Sequence, residues 1–415
     1  MSTTKLLAPV VENPPTQLHG QNGRKSAAKK QNEGTGSIND RIFLGSLAVL
    51  VLWYAPMSFT YFLGEMPGLV TDTMLHALVS REFAYGNGSG YPDDYGPGQY
   101  AVLLRNVTAM LPHSISGTLA IITGLFQFNK TFQFKYPIVH RNLGRVYGLC
   151  ALIISWSSAS FLIDTIPTRE VFSGELFAMG LSMLSSGVLV TMALAVYAVW
   201  NGDAGSHREF MMLNYSLMLS APVLRLCWVV LGRLWGETKW TVNLYSVLFA
   251  GPFLLATPMF YLRLRQSRPV NETLTSSRLR LIIVASSLLS LAFLAPKLSS
   301  FDQWSHRPKA DFWFTVPQWG FHAISFTLLS QAAKRRGDMR AYTAWATYQN
   351  GLLGGPIFAV PTYYMCRHVF LCPEGIMGLS TFFGAWLMGL FSSHIVYVTA
   401  TSTFAKRHKH SLKGE

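Results

Sequence analysis

Ten long apolar runs constrain the fold of this chain more than any other feature of its sequence. A helix that crosses the hydrocarbon core of a bilayer needs about 20 mostly apolar residues. Only 13% of the residues here are charged, whereas soluble domains contain about a quarter. The sequence therefore predicts an all-α, polytopic integral membrane protein that resides in the lipid bilayer. Its predicted transmembrane helices are 42–63, 107–128, 145–164, 177–200, 210–232, 241–262, 281–296, 313–333, 342–364 and 375–402.

The basic residues predict how these helices are oriented. Most of the 34 Lys and Arg residues fall in segments that share one side of the membrane, namely the N-terminal tail, 129–146, Arg208, 263–280, 334–340 and 406–413. Because cytoplasmic loops carry an excess of Lys and Arg, both termini are expected in the cytosol. The net charge of +14 then reflects membrane topology, and we expect no nucleic-acid partner.

Two polar tails flank the predicted transmembrane domain, which covers residues 39–404. Residues 1–38 have no apolar core of signal-peptide length, so we predict a disordered cytosolic tail there. Residues 405–415 form a second, basic cytosolic tail. The longest predicted lumenal loop is 64–106, and its triplet Asn87-Gly88-Ser89 makes Asn87 a candidate glycosylation site.

The four cysteines divide into two groups. Cys150 and Cys227 lie inside predicted helices. Cys366 and Cys372 share a short predicted lumenal loop, where they could form a disulfide because that compartment is oxidising. The alternative is two unpaired thiols.

A faint internal repeat links residues that lie 135 positions apart. The matched pairs are Gly202-Asp203 with Gly337-Asp338, Phe210 with Trp345, Asn214 with Gln349, and Arg145 with Arg280. This shift overlays a first unit, 107–232, on a second unit, 241–366, and leaves 375–402 as the last helix. Four-helix units keep their orientation when duplicated, so the repeat would be parallel. The second unit has no histidine at the positions equivalent to His113, His140 and His207. This difference predicts that the first unit carries the chemistry and that the second is a scaffold.

Three stretches of the first unit carry polar residues at or near membrane depth, where such residues are costly and tend to be functional. They are His113-Ser-Ile-Ser-Gly117 with the later Gln127-Phe128, His140-Arg141-Asn-Leu-Gly144-Arg145-Val-Tyr147, and His207-Arg208-Glu-Phe-Met211 with the later Asn214, Tyr215 and Arg225. The alternative for the arginines near helix ends is that they anchor those ends at the lipid headgroups.

Together these stretches resemble a widespread family of polytopic membrane proteins of unassigned function, over about residues 107–230. The family pattern is His-xxx-Gly with a later Gln-Phe, then His-Arg-xx-Gly-Arg-x-Tyr, then His-Arg-xx-Met with a downstream Arg. The family-motif residues in this sequence are Gln127, His140, Arg141, Arg145, His207 and Arg208. Leu213 departs from the pattern, since a basic residue is expected there.

The ten-helix architecture around this block also resembles the fungal membrane-bound terpene cyclases of the ascofuranone type. The resemblance implies an enzyme of meroterpenoid biosynthesis, a branch of secondary metabolism, in the endoplasmic reticulum. Such an enzyme protonates an epoxide or olefin on the farnesyl chain of a hydrophobic prenylated substrate and cyclises the resulting carbocation. The resemblance implies no metal and no other cofactor.

This chemistry needs a carboxylic acid that stays protonated in an apolar site and aromatic faces that stabilise a cation. The candidate catalytic residues are Asp164, Glu65, Asp72, His113 and Arg225, and the candidate substrate-binding residues are Trp156, Tyr215, Trp228 and Asn214. Each has a plainer interpretation. Aromatic residues near interfaces commonly form a belt, Asp164 could cap a helix end or pair with Arg169, and the other two carboxylates could be solvated loop residues.

Two alternative functions compete with the cyclase. A haem-b electron-transfer protein would use histidines at equal depth on neighbouring helices, either His140 with His207 or His322 with His394. A small-molecule transporter would fit the interruption of the ninth helix by Gly354-Gly355-Pro356 and the internal repeat. Haem predicts visible absorbance, a cyclase predicts colourless protein with an acid-dependent product, and a transporter predicts flux without conversion.

Overall fold

The computed structural model describes residues 38–60, 78–79, 83, 99–171, 173–233, 239–265, 268–298 and 306–402. The chain divides into two compact parts, residues 1–48 and residues 49–415. Of residues 1–48 the structure describes only the start of a helix, and residues 49–415 form the helix bundle. Most of the predicted loop 64–106 and nearly all of both predicted tails lie outside the described residues. The same is true of Glu65, Asp72 and Asn87.

Every regular element among the described residues is helical. The α-helices are α1 (Ile38–Thr60), α2 (Gln99–Arg105), α3 (Val107–Gln127), α4 (Lys130–Lys135), α5 (Pro137–Thr165), α6 (Gly174–Trp200), α7 (Ala204–Met218), α8 (Ser220–Cys227), α9 (Lys239–Arg265), α10 (Ser277–Leu298), α11 (His306–Arg335), α12 (Met339–Leu353), α13 (Ala359–His368) and α14 (Glu374–Ala400). Three shorter elements are a π-helix (Trp228–Arg233) and two 3₁₀-helices (Glu272–Thr275 and Gly355–Phe358).

Eight helical spans among the described residues are long and apolar enough to cross a membrane. This finding confirms the predicted all-α, polytopic membrane fold, because a backbone in lipid must satisfy its hydrogen bonds within each helix. The other two predicted spans, α11 and the segment from α12 to α13, are helical as well. The seventh span is longer than its sequence predicted, since α10 covers 22 residues.

Two of the predicted spans are divided into shorter helices. The predicted break in the ninth span is confirmed: α12 ends at Leu353, and a 3₁₀-turn with Pro356 in its first positions leads into α13. Proline fits there because the first turn of a helix needs no backbone N–H donor. The division of the fifth span was not predicted from the sequence; there α7 ends at Met218, α8 follows at once, and a π-helix begins at Trp228.

The helix boundaries of the two divided spans correspond at the offset of 135 residues. The first helices of the two spans, α7 and α12, begin and end at equivalent positions. The helices before them, α6 and α11, also end at equivalent residues, Trp200 and Arg335. This correspondence supports the predicted duplication.

The turns that precede α7 and α12 share the same backbone conformation and the same capping hydrogen bond. Gly202 and Gly337 adopt positive φ angles of 72° and 70°, a conformation that costs glycine little. The next residues, Asp203 and Asp338, cap the following helix, because each Oδ1 accepts a hydrogen bond from the main-chain N–H three residues later, at 2.9 and 3.0 Å. The Gly-Asp pair therefore recurs because it builds one particular turn.

A buried side-chain amide links three helices of the first unit. Asn214 of α7 accepts a hydrogen bond from the Tyr147 hydroxyl of α5 at 2.6 Å and donates to the Thr191 hydroxyl of α6 at 2.8 Å. It also donates to the Val188 carbonyl at 2.7 Å. Both Asn214 and Tyr147 are fully buried.

The equivalent amide of the second unit, Gln349 of α12, links the equivalent helices. Its Oε1 accepts from the Arg280 guanidinium of α10 at 2.5 Å, and its Nε2 donates to the Thr327 hydroxyl of α11 at 2.8 Å. The two units therefore share a connecting amide but use different partners. We call the end of the bundle where α6 meets α7 and α11 meets α12 the basic end, because Arg208, Lys334 and Arg335 lie there, and the other end the opposite end.

Candidate functional site

An aromatic cluster surrounds Trp228 at the opposite end of the bundle. The indole is 2% exposed, and its Nε1–H donates to Asn243 Oδ1 at 2.7 Å. The guanidinium carbon of Arg225 lies 3.8 Å from the centre of the Trp228 ring, which is cation–π geometry. The Phe83 ring approaches edge-on, with ring centres 5.9 Å apart.

The local helix geometry builds this cluster. Arg225 and Trp228 are three residues apart, so they share one face of a helix, and the π-helix that begins at Trp228 is a geometry found often at functional sites. Gly232 admits the Phe83 ring, because a Cβ there would lie only 2.6 Å from it. Apolar packing completes the cluster with Met57, Val79 and Val242, and with the partly buried Trp53, Tyr54, Val229 and Leu231.

The structure brings two of the sequence-predicted site residues together in this cluster, Arg225 and Trp228. Two others, Asp164 and Trp156 of α5, are exposed, the indole to 77%. Among the described residues Asp164 forms no ion pair, so the alternative of a pair with Arg169 has no counterpart in the structure. Their assigned roles stay predictions.

His113 lies between α3 and α5. Its Nδ1 is 3.2 Å from the hydroxyl oxygens of both Ser157 and Ser158. On the next residue, the Ser114 hydroxyl donates to the main-chain carbonyl of Ser58 in α1. The His113 segment therefore holds three helices together, which is a positioning role independent of any chemistry.

Tyr215 is engaged inside the helix packing. Its hydroxyl donates to the Ile121 carbonyl at 2.8 Å, and its ring packs directly on Gly124, where an added Cβ would collide with it. Both Asn214 and Tyr215 thus have internal partners for their polar groups, and a substrate-binding role for either stays a prediction.

The family-motif histidines meet at the basic end. Gln127 donates to the main-chain carbonyl of His140 at 3.3 Å. His207 Nδ1 lies 2.9 Å from the Ala195 carbonyl. The imidazoles of His140 and His207 are close enough to interact electrostatically, and His140 Nδ1 is buried with no hydrogen-bond partner among the described atoms.

The motif arginines occupy the edge of this region. Arg141 and Arg145 are exposed and donate only locally, to the Pro137 carbonyl at 3.3 Å and to Asn142 Oδ1 at 3.2 Å. Arg208 is half-buried and lies near Tyr261. Exposed arginines at a helix end fit the anchoring interpretation.

A buried ionic network that was not predicted from the sequence is centred on Glu209, which is 1% exposed. The Arg263 guanidinium donates to Glu209 Oε2 and, at 3.1 Å, to the Tyr397 hydroxyl. Arg268 donates through Nε to Glu209 Oε1 at 2.6 Å and through a terminal nitrogen to the Ser206 hydroxyl at 3.2 Å. The network joins α7, α9 and α14.

One sequence signal could have revealed this network. Glu209 is a carboxylate within the third motif stretch that precedes a long apolar run, and a buried charge requires a partner of opposite sign. The cations that pair with it, Arg263 and Arg268, lie 54 and 59 residues further along the chain. Because a repeat alignment does not pair them with Glu209, only the packing of α9 against α7 reveals the contact.

The two buried histidines of the second half do not face one another. His394 Nδ1 lies 3.3 Å from the Tyr348 hydroxyl, while His322 Nδ1 lies 2.7 Å from the Gln318 carbonyl. Ring contacts run from His322 to Phe326, from Phe326 to Tyr348 and from Tyr348 to His394, with centres 6.3, 5.6 and 6.1 Å apart. Aromatic side chains therefore fill the space in which a haem held by this pair would lie.

No group of three or more His, Cys, Asp or Glu side chains in the described part of the chain is arranged to hold a metal ion. Within those residues, a metal held by these side-chain types would therefore have to rely on a pair, such as His140 with His207, or on further ligands of another kind.

A family model described as "Predicted membrane protein (DUF2306)" matches residues 110–259. The match spans α3 to most of α9, and it includes the three motif stretches, Glu209 and the Trp228 cluster. The description assigns no activity. No curated protein and no solved structure matches the chain. The chain is thus similar, over its first four-helix unit, to a family of predicted membrane proteins, in agreement with the resemblance that the motifs carry.

Proposed function

We propose that this protein is an integral membrane terpene cyclase that acts on a hydrophobic, prenylated meroterpenoid dissolved in the bilayer. It would protonate an epoxide or olefin of the farnesyl chain and cyclise the carbocation without a metal. The observation that carries the proposal is the buried aromatic cluster around Trp228, with the Arg225 guanidinium stacked on its indole at 3.8 Å. Aromatic faces at a desolvated site stabilise a cation by about 2 kcal/mol or more.

The proposed reaction balances without an oxidant. A carboxylic acid donates its proton to the epoxide oxygen, the carbon–oxygen bond breaks, and the π electrons of a neighbouring alkene attack the electron-deficient carbon. The final cation loses a proton to a base. Arg225 covers one face of Trp228, so the rings of Phe83, Trp53 and Tyr54 would be the ones that stabilise the carbocation of the substrate. The guanidinium donors of Arg225 would hold an oxygen of the aromatic headgroup.

The proton donor would be a carboxyl group at the opposite end. Asp164 at the end of α5 is the candidate from sequence within the described residues, together with Glu65 and Asp72 outside them. The structure adds Glu175, which is half-buried in the first turn of α6. We expect Asp164→Asn to abolish turnover in a chain that still folds. If Asp164→Asn retains activity and Glu175→Gln loses it, the donor is Glu175.

The test uses microsomes that contain the full chain and an epoxidised farnesyl phenol. We expect an isomeric product of unchanged mass from the wild type and at least a tenfold slower conversion by Trp228→Leu, since tenfold corresponds to about 1.4 kcal/mol. Trp228→Phe keeps an aromatic face and should retain most of the activity. Trp200→Leu, at an 86% exposed indole at the end of α6 that has no assigned role, is the matched control.

Two results would overturn the proposal. One is the absence of conversion by well-folded wild-type protein across a series of epoxidised and olefinic farnesyl phenols. The other is equal conversion by Trp228→Leu and the Trp200→Leu control, because the aromatic cluster would then have no part in the reaction.

The alternative of a haem-binding electron carrier keeps one specific observation in its favour. His140 and His207 lie close together, and the contact of His207 Nδ1 with the Ala195 carbonyl is the kind that orients a metal-binding imidazole. A Soret band that shifts on reduction with dithionite, and that His140→Ala abolishes but His322→Ala does not, would favour haem. A flat spectrum would remove this alternative.

A further inference from the structure

Three sulfur atoms converge at the opposite end of the bundle. Cys366 lies near the end of α13, Cys372 lies in the turn before α14, and Met179 lies near the start of α6. The Cys366 Sγ is 3.5 Å from Met179 Sδ, and the two thiols are within hydrogen-bonding reach of one another. All three side chains are buried, at 0%, 7% and 0% exposure in the order named.

The backbone folds back to create this convergence. The Cys372 N–H donates to the Cys366 carbonyl at 2.9 Å. Between them, Leu371 adopts a φ of 53°, in the left-handed region that is unfavourable for a residue with a Cβ. Strain of this kind persists only where the surrounding structure enforces it, and here its effect is to bring the two thiols together.

The neighbouring helix leaves room for the thioether. A Cβ added at Gly384 of α14 would lie 3.2 Å from Met179 Sδ, which is closer than ordinary contact. One turn earlier on α14, the buried Ser380 hydroxyl lies 3.8 Å from Cys372 Sγ.

We propose that Met179, Cys366 and Cys372 form a binding site for one soft, thiophilic metal ion of the Cu(I) type. Thiolate and thioether ligands select Cu(I) over harder cations. A trigonal site with metal–sulfur bonds of about 2.3 Å separates its sulfur atoms by about 4 Å, so the contact of 3.5 Å between Cys366 and Met179 needs only a small adjustment. This inference is independent of the cyclase proposal.

Binding would release one proton from each thiol. The two resulting thiolates carry two negative charges, and a monovalent ion neutralises only one of them. Arg367, next to Cys366 and hydrogen-bonded to the Tyr363 hydroxyl at 3.0 Å, provides positive charge beside the site. The exposed side chains of Val369 and Leu371 place the turn at the surface of the bundle, where an ion could reach the thiols.

The experiment uses the full chain, purified in detergent, reduced and kept under anaerobic conditions. Cu(I) is titrated in competition with the chromophoric chelator bicinchoninate. We expect the wild type to retain one equivalent of Cu(I) and Cys366→Ser/Cys372→Ser to retain none. Met179→Leu should weaken binding at least tenfold. Met192→Leu, at another buried methionine of the same helix, and Cys227→Ser are matched controls that should bind like the wild type.

Three outcomes would overturn the proposal. The first is equal Cu(I) binding by the wild type and by a double-serine variant that elutes as a monodisperse, folded species. The second is equally tight binding of Zn²⁺, which would show that the site does not select a soft monovalent ion. The third is a Cys366–Cys372 disulfide in freshly isolated protein, detected as resistance of both residues to alkylation after denaturation that a reductant removes, because the thiols would then be committed to each other.

Discussion

The two four-helix units have the same turn and the same bounds for the first helix of their divided spans, α7 and α12, but different buried side chains. In both units a Gly-Asp turn caps a divided span, and one amide, Asn214 or Gln349, connects three helices. The histidines, charged residues and tryptophan noted in the first unit have other residues at the equivalent positions of the second. His113 corresponds to Leu248, His140 to Thr275, His207 to Tyr342, Glu209 to Ala344, Arg225 to Val360 and Trp228 to Tyr363.

This difference shows that two segments with the same turn and a corresponding connecting amide carry different buried charges, as the predicted duplication would allow. The buried carboxylate of the first unit, Glu209 of α7, is neutralised by residues of the second unit. It forms ion pairs with Arg263 of α9 and with Arg268, just beyond that helix. The second unit therefore supplies the counter-ions for the first. Four pairs of substitutions test this comparison, from the largest expected effect to the smallest.

Removing the central carboxylate should have the largest effect. Glu209→Ala leaves two buried guanidinium groups without their counter-ion, and breaking a buried pair costs about 3–5 kcal/mol. The control is Glu170→Ala, at an ion pair with Arg105 whose side chains are 25% and 51% exposed, where about 0–1 kcal/mol is expected. The free energy of unfolding in mixed micelles measures both. Equal losses would show that the buried network contributes no more to stability than the exposed ion pair.

Removing the connecting amide comes next. Asn214→Leu leaves the buried Tyr147 hydroxyl without its acceptor, while the Thr191 hydroxyl keeps its bonds to the Gly187 and Val188 carbonyls, and we expect a loss of about 2–3 kcal/mol. Gln349→Met should cost about 1 kcal/mol, because Arg280 keeps its hydrogen bond to Asn350 at 3.2 Å. The same unfolding titration compares them. A greater loss of unfolding free energy for Gln349→Met than for Asn214→Leu would show that the connecting amide contributes more stability in the second unit than in the first.

A methyl group at a close contact should have a smaller effect. Gly124→Ala places a Cβ against the Tyr215 ring, and such overpacking costs about 1–3 kcal/mol. Gly117→Ala, on the same helix with nothing within 4 Å of the added atom, should be neutral or slightly stabilising, since alanine favours helix. Similar melting temperatures for the two variants would argue against the tight contact.

The smallest effect is expected from the helix cap of the second unit. Asp338→Ala removes one hydrogen bond, to the Ala341 N–H at 3.0 Å, and should cost about 1 kcal/mol. Asp203→Ala in the first unit should cost more, because Asp203 is buried and also accepts from the Ser206 hydroxyl at 2.7 Å. Melting temperatures of the two variants decide this, and identical shifts would show that both aspartates act only as caps.

The sequence alone determined the fold class and the helical segments. Helices are predictable in a membrane because the bilayer requires about 20 apolar residues in a row and leaves no water for unpaired backbone groups. The break at Gly354 was also predicted, since glycine and proline act on the backbone locally. Arg225 and Trp228 could be placed together because they are one helical turn apart.

Tertiary structure alone decided which polar residues are buried and what they contact. Trp156 and Asp164 are plausible site residues in the sequence, but α5 turns them outward, whereas Glu209 was not predicted as a site residue and lies at the centre of a buried network. Its partner Arg263 is 54 residues away, and the partner of Arg263, Tyr397, is 134 residues further on. The rotation of a helix about its axis depends on which neighbours it packs against, and hydropathy along a single chain does not contain that information when most faces of the helix are apolar.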